Sequence, residues 1–401
     1  MAWSKKYRHP GGSGGKRGHS NMSHWEPTEH VKEASRKARR NEDKDVVAEE
    51  REEAQGTEHS TTDFHQDNDS LASRPATHRR RKRPRRQPVE RPPRGMAEET
   101  LNELLEVLRR ERYKFHYAKD QYAFQLLSYA LAGETSLQAI RRGPFASLLQ
   151  KPAVRESLLS SAGTGMLTRD MVFASWPAPT ECYLLTFSGW GAGQVSRSGK
   201  NLVVQLNFSS NHDRAYRRLV RPEAGRRPFA YALHPVSNAR NTLAWVRIDL
   251  ADDLSHALIE EVQCDWLRIA RRIRQIDQED GAGDDSGTVA LRGASTSRHR
   301  LRVYTQKVLR PHTLIWAEAA LSAALEVLVE EIGVRRIFYH TWRSGNVLKG
   351  IASGHGPPKS LYKRLPRSFA FVETAEAPPL LGNLVETEDL HFFLLEFPPS
   401  R

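Results

Sequence analysis

Cysteine is nearly absent from this 401-residue chain: Cys182 and Cys264 are its only two, in no CxxC spacing. A disulfide scaffold and a cysteine-based zinc site are therefore excluded, and no metal is expected. Long apolar runs are also lacking. No uninterrupted stretch of about 18 apolar residues occurs, so no segment is expected to span a membrane. The opening MAWSKKYRHPGG is charged and has no apolar core, which argues against a secretory signal. No GxSxG, HExxH or GxxxxGK[ST] stands in a helix context (Gly11-Gly12-Ser13-Gly14-Gly15 fits the first only within a Gly-rich polar stretch), so hydrolase, zinc-protease and nucleotide-switch readings lose their main support. These absences predict a soluble, cytoplasmic protein without membrane partners.

Apolar residues are scarce in one place. Residues 1–96 hold 19 of them, with no Ile and one Leu, too few to offset the entropy of ordering that segment. A disordered basic tail is expected there. It carries 22 basic and 15 acidic residues, so the chain's net +13 divides into +7 on the tail and +6 on the remainder. The tail ends in the run Arg79, Arg80, Arg81, Lys82, Arg83, Pro84, Arg85, Arg86. Such a run condenses on phosphates without needing a fold, which makes nucleic acid a candidate partner; a solvated linker is the alternative.

Beyond residue 96 the patterning is that of a folded protein. A helical block is expected over 97–170. Leu101, Leu104, Leu105 and Leu108 fall at i, i+3, i+4 and i+7, and Tyr122, Leu126 and Tyr129 continue the helical period until Gly133. The aromatics Phe115 and Tyr117 are read as part of its core. From 180 to 401 the period becomes that of strands, with runs at 183–187, 202–208, 229–233, 243–250 and 257–262. The last two flank Ala251-Asp252-Asp253 and should form an antiparallel hairpin. Asn211-His212-Asp213 reads as a surface pair after a strand. Residues 277–300 read as a mobile insertion. A long helix over 313–331 should stop at Gly333 and feed a strand at 336–340, a loop, a short helix near 359–364 and strands near 369–373 and 391–397. The expected fold class is α+β, with one mainly antiparallel sheet covered by helices, the strand 257–262 lying beside 336–340.

The densest polar cluster is Glu260-Glu261-Val262-Gln263-Cys264-Asp265-Trp266. Strand interiors are depleted in acidic residues, so this strand end suggests a site. Strict alternation would place Glu261, Gln263 and Asp265 on one side and Glu260, Cys264 and Trp266 on the other. Asp265 acting as the N-cap of a following helix is the structural alternative.

Two resemblances attach to these residues. Asn241-Thr242-Leu243-Ala244-Trp245-Val246-Arg247 followed by Leu258-Ile259-Glu260-Glu261-Val262-Gln263-Cys264-Asp265-Trp266 resembles a domain of phage and mobile-element polyvalent proteins, whose pattern reads N-P-L-A-H-x-R and then F-I-E-E-I-Q-S-D-W. The stretch from Leu321 through Phe371 is similar to the C-terminal half of the GNAT N-acetyltransferases, with Tyr362 inside Leu361-Tyr362-Lys363-Arg364-Leu365. This resemblance implies acetyl-CoA as co-substrate, held between two splayed strands. It assigns Tyr362 to protonating the departing thiolate, Asn346 and Gln263 to cofactor binding, and Glu261 to the role of base. Glu260, Asp265, Trp266, Trp342 and Arg343 are expected to line the same site, with Arg343 pairing one of the carboxylates. The phosphate-loop letters occur once, as Gln278-Glu279-Asp280-Gly281-Ala282-Gly283, some thirty residues ahead of the helix they should open and amid acidic neighbours that repel phosphate. Two functions follow: a GNAT-like N-acyltransferase relative, or a non-catalytic protein that binds nucleic acid or a protein partner.

Overall fold

The computed structural model describes residues 95–398 apart from 110–113, 132, 134, 159–162, 164, 192–193, 232, 280–286, 352–356 and 386–389. The basic run Arg79–Arg86, the remainder of the expected tail to residue 94 and the glycines of the 278–283 match lie outside the described residues.

The strands are β1 (Lys114–Tyr117), β2 (Thr135–Ser136), β3 (Met166–Leu167), β4 (Glu181–Trp190), β5 (Asn201–Asn207), β6 (Thr242–Leu250), β7 (His256–Gln263), β8 (Thr288–Leu291), β9 (Ala294–Ser297), β10 (Arg336–His340), β11 (Val372–Thr374) and β12 (Phe392–Glu396). Eight of them form one sheet in the order β1-β4-β5-β6-β7-β10-β12-β11. All neighbours in it are antiparallel except β7 and β10, which run parallel. Strands β5 and β6 are buried along their whole length, as befits central strands covered on both faces.

Alternation on β7 and β10 divides the core. Ala257, Ile259, Ile337 and Tyr339 face the main cluster, together with Leu321, Leu325 and Leu328 of the long helix Arg310–Glu326 and its continuation Val327–Ile332. Leu258 and Phe338 face the other way, onto Leu380, Leu381, Leu390 and Phe392. The long helix packs across β5, β6 and β7. By length and composition Arg310–Ile332 is apolar enough to cross a membrane, contrary to the expectation from unbroken runs. Two thirds of its most apolar window is buried inside the protein, the signature of a core helix. The helix ends at Gly333, whose φ is +88°, and Val334 N–H closes the end onto the Leu328 carbonyl at 2.7 Å. A Cβ there meets nothing within 4 Å. Gly333→Ala should therefore cost only the left-handed backbone strain, about 1–2 kcal/mol, read as a lower denaturant midpoint with unchanged slope.

Several expectations are corrected. The 97–170 block is not wholly helical: its Lys114–Tyr117 forms β1 and joins the main sheet against β4, because KFHY alternates exposed and buried. Among the described residues of 229–233 none is in a strand. They sit among successive turns, Ala230 N–H to Arg227 O and His234 N–H to Tyr231 O, while Phe229 plugs into the core. The 277–300 stretch is partly regular, since the helix Asp265–Glu279 runs into it, β8 and β9 form a hairpin, and Ser297 caps the helix Arg298–Val303. Further helices stand where none was expected, among them Ser210–Leu219 and Trp342–Leu348. In the first, His212 keeps the expected pairing with Asp213, at 3.3 Å, but is buried and stacked on Phe208 rather than lying on the surface.

Candidate functional site

The signature strand carries an irregularity that sequence alternation does not foresee. In the β6–β7 register Arg247 opposes Glu261 and Ile248 opposes Ile259, so Glu260 is an extra residue, a β-bulge. Bulges re-aim side chains and recur beside active sites. Here the bulge sends Glu260 and Glu261 to different partners.

Glu260 is fully buried at the centre of a polar cluster. Its carboxylate accepts from Ser196 N–H at 3.2 Å and Ser196 Oγ at 3.1 Å, and lies 3.3 Å from His340 Nε2 and 3.2 Å from Lys349 Nζ. His340 Nε2 also meets Ser196 Oγ at 2.8 Å, and its Nδ1 meets Ser344 Oγ at 3.2 Å. Burial works against charge on both Glu260 and His340. For Glu260 the Lys349 ammonium and the His340 hydrogen bond outweigh it and hold the carboxyl far below the usual range, whereas burial prevails at His340 and lowers its pKa. The cluster is thus an ionised Glu260–Lys349 pair with a neutral imidazole beside it.

Local sequence explains how Lys349 arrives. Thr341 caps the helix Trp342–Leu348 by a reciprocal box with Ser344, and Thr341 Oγ1 also donates to the His391 carbonyl at 2.9 Å. Lys349 follows at the far end of that helix and donates to the Glu260 backbone carbonyl as well as to its carboxylate. Tyr362 Oη donates to the same carbonyl at 3.4 Å. Both donors fill the place where β7 and β10 separate: their parallel pairing ends at Ile259 and Tyr339, while β7 continues to Gln263.

The remaining predicted residues do not converge on one point. Glu261 pairs with Arg247 at 2.8 Å, and Arg247 also donates to the Gln194 carbonyl. Gln263 and Asp265 belong to a second group centred on His234. Asp265 lies 2.7 Å from His234 Nδ1, accepts from Gln263 Nε2 at 2.6 Å and Trp245 Nε1 at 3.4 Å, and pairs with Arg268 at 3.0 Å. Burial pushes the Asp265 carboxyl up, but His234, Arg268 and Gln263 together bring it below the ordinary value. Asp265 is the first residue of its helix rather than the cap; Cys264 Sγ accepts from Leu267 N–H at 3.4 Å. Trp266 is a core residue, stacked on Phe229 and donating to Tyr304 Oη at 2.7 Å. Trp342 donates to the Pro357 carbonyl and lies beside the Lys359 ammonium. Arg343 is exposed, and Arg247 and Lys349 take the ion-pairing role expected of it. Asn346 keeps a buried Oδ1 with no hydrogen-bond partner among the described residues.

Ser196, His234, His340 and Lys349 were not foreseen as site residues. Glu260 is separated from Ser196 by 64 residues and from Lys349 by 89, so no local spacing announces the cluster. Among the described residues no group of three or more His, Cys, Asp or Glu is arranged to hold a metal ion. No protein-family model, curated protein or solved structure matches the chain.

Proposed function

We propose that residues 180–401 carry a GNAT-like, acyltransferase-related domain whose thioester place lies where β7 and β10 part. One observation carries the reading. The two parallel strands pair from His256 to Ile259 and then separate, leaving the last residues of β7 beside β6 alone. Asn346, which the resemblance assigns to the pantetheine arm, supports it, because an amide N–H would satisfy its orphaned oxygen. Tyr362 supports it as well: its hydroxyl is aimed at the strand end, where it donates to the Glu260 carbonyl at 3.4 Å. Acetyl-CoA would bring the activated acyl group. The chain's own residues would orient an amine, exclude water and return a proton from Tyr362 Oη. Glu261, assigned as base, would have to leave Arg247 to accept one.

The second reading, a non-catalytic binding domain of the polyvalent-protein type, is favoured by Lys349. Its ammonium and the Tyr362 hydroxyl already engage the Glu260 carbonyl at the point of parting. The nucleic-acid partner of the basic run 79–86 belongs to this reading. Calorimetric titration of the full chain with acetyl-CoA, followed by an assay of thiol release with amine acceptors, separates the two. Saturable one-to-one binding is expected, with Tyr362→Phe retaining binding but releasing thiol at least ~100-fold more slowly. Absence of heat and of thiol release would leave the binding-domain reading.

A further inference from the structure

We infer that the folded domain has its own docking face for duplex nucleic acid, separate from the basic tail and built from Arg214, Arg217, Arg218, Arg221, Arg226 and Arg292. The helix Ser210–Leu219 buries His212 and Tyr216, which leaves Arg214, Arg217 and Arg218 together on its outer side at i, i+3 and i+4. Arg221 follows the helix in a left-handed conformation, φ +56°. Beyond it the chain docks on the β8–β9 hairpin. Pro222 bridges Ala294, Glu223 N–H donates to the Gly293 carbonyl at 2.9 Å, and Thr296 Oγ1 donates to Leu219 O at 2.6 Å. The Arg226 side chain lies so close over Gly293 that a Cβ there would meet it at 2.5 Å. The hairpin turn thereby brings Arg292 beside the end of the helix.

All six arginines are exposed. Among the described residues none of the six forms an ion pair; Arg214 touches only the neutral Asn211 amide. The acidic residues of 277–285 precede the hairpin, but the two segments that build the face are themselves poor in acid. Segment 210–226 holds five arginines against Asp213 and Glu223, and segment 287–310 holds six basic residues and no acidic one. Asp213 is itself engaged by His212 and by Asn241 at 2.7 Å.

The chemistry of the patch selects its partner. Guanidinium forks match phosphate oxygens in two-pronged contacts. A protein partner would need an apolar or aromatic anchor at the centre of the face. A single strand would need exposed aromatic platforms on which bases stack. None of the large hydrophobic residues exposed among the described residues lies in 210–226 or 287–303. What remains is a polyanion recognised through its backbone, and a duplex presents phosphates at regular spacing with no need for stacking.

The test uses the full chain with Arg79, Arg80, Arg81, Lys82, Arg83, Arg85 and Arg86 changed to Gln, so that the densest basic run of the tail cannot contribute and the comparison between variants is made on one constant tail. Fluorescence anisotropy with a labelled duplex of about 20 base pairs is read across a salt series from about 50 to 200 mM. This chain should bind with a steep salt dependence. Adding Arg217→Gln, Arg218→Gln and Arg292→Gln should weaken binding at least ~tenfold and flatten the log–log salt slope by about 2.7, at ~0.9 for each phosphate no longer neutralised. The corresponding triple lysine variant should keep most of the slope. Should the glutamine triple unfold, each single substitution carries the same test at about 0.9 of slope. Unchanged affinity in the triple variant overturns the assignment. So does equal or tighter binding of polyglutamate, which would make this a surface for acidic protein, or of a single strand of the same length.

Discussion

Lys349→Met is expected to destabilise the fold by about 3–5 kcal/mol, the cost of leaving a buried carboxylate without its counter-charge. The Lys349 side chain is 3% exposed and that of Glu260 is not exposed at all, so water cannot replace the ammonium. Ser196 and His340 would still bond the carboxylate, but a neutral imidazole and a hydroxyl do not balance a full charge in that environment. The double variant Glu260→Gln with Lys349→Met should recover much of the loss, because it removes both charges together. Denaturant unfolding of the parent and the two variants checks this. A cost below about 1 kcal/mol for Lys349→Met would mean that the pair is solvated and the cluster is not the buried centre described above.

Acidification from pH 7.5 to 5.5 is expected to lower stability by about 2–4 kcal/mol through buried histidines that resist protonation. Burial lowers the pKa of His212, His312 and His340, and His312 is brought down to about 3. An unfolded histidine takes its proton near pH 6.5. Below that pH the unfolded chain therefore binds protons that the native one refuses, so stability is full above 6.5 and is lost as pH falls, at most ~1.4 kcal/mol per unit and group. Asp249 opposes part of this. Burial raises it to about 6 despite its pairing with Arg197, so its contribution is largest in acid and declines as pH rises through 4 to 6. Only its upper edge overlaps the histidine window. Glu260 adds to the loss only below the ordinary carboxylate range, where the unfolded chain becomes protonated and the folded one does not. Urea midpoints measured at the two pH values check the sum. His312→Phe should flatten the profile, and a profile already flat in the parent would contradict neutral burial of these imidazoles.

Much of the scaffold was legible in the sequence because its determinants are local. The leucine stripe of Glu98–Arg109, the 251–253 turn between β6 and β7, and the long helix stopped by Gly333 each depend on spacing within a few turns or on one residue's backbone freedom. The misread elements are those whose local signal is weak. Only His212 and Tyr216 are buried in the helix Ser210–Leu219, so its apolar stripe is nearly invisible beside its arginines. Strand β1 has four residues, too few for alternation to outweigh the helical pattern around it.

The site divides in the same way. Sequence by itself determined that an acidic strand end stands in an apolar context, that the chain turns back before it, and that a helix and a neighbouring strand follow. Which groups face that strand end was decided only by the tertiary structure. The bulge at Glu260 shifts the alternation, so that Glu261 and Gln263 no longer share a face with Ile259, and Asp265 lies past the end of β7, in the helix that follows. The helix Trp342–Leu348 then delivers Lys349, the 191–200 connection delivers Ser196, and β10 delivers His340 to the same carboxylate. The reason is physical. Secondary structure follows from side-chain period and backbone freedom, which a short window of sequence contains. A buried charge must be met by whatever partners the packed chain brings within about 4 Å, and those come from segments with no common period.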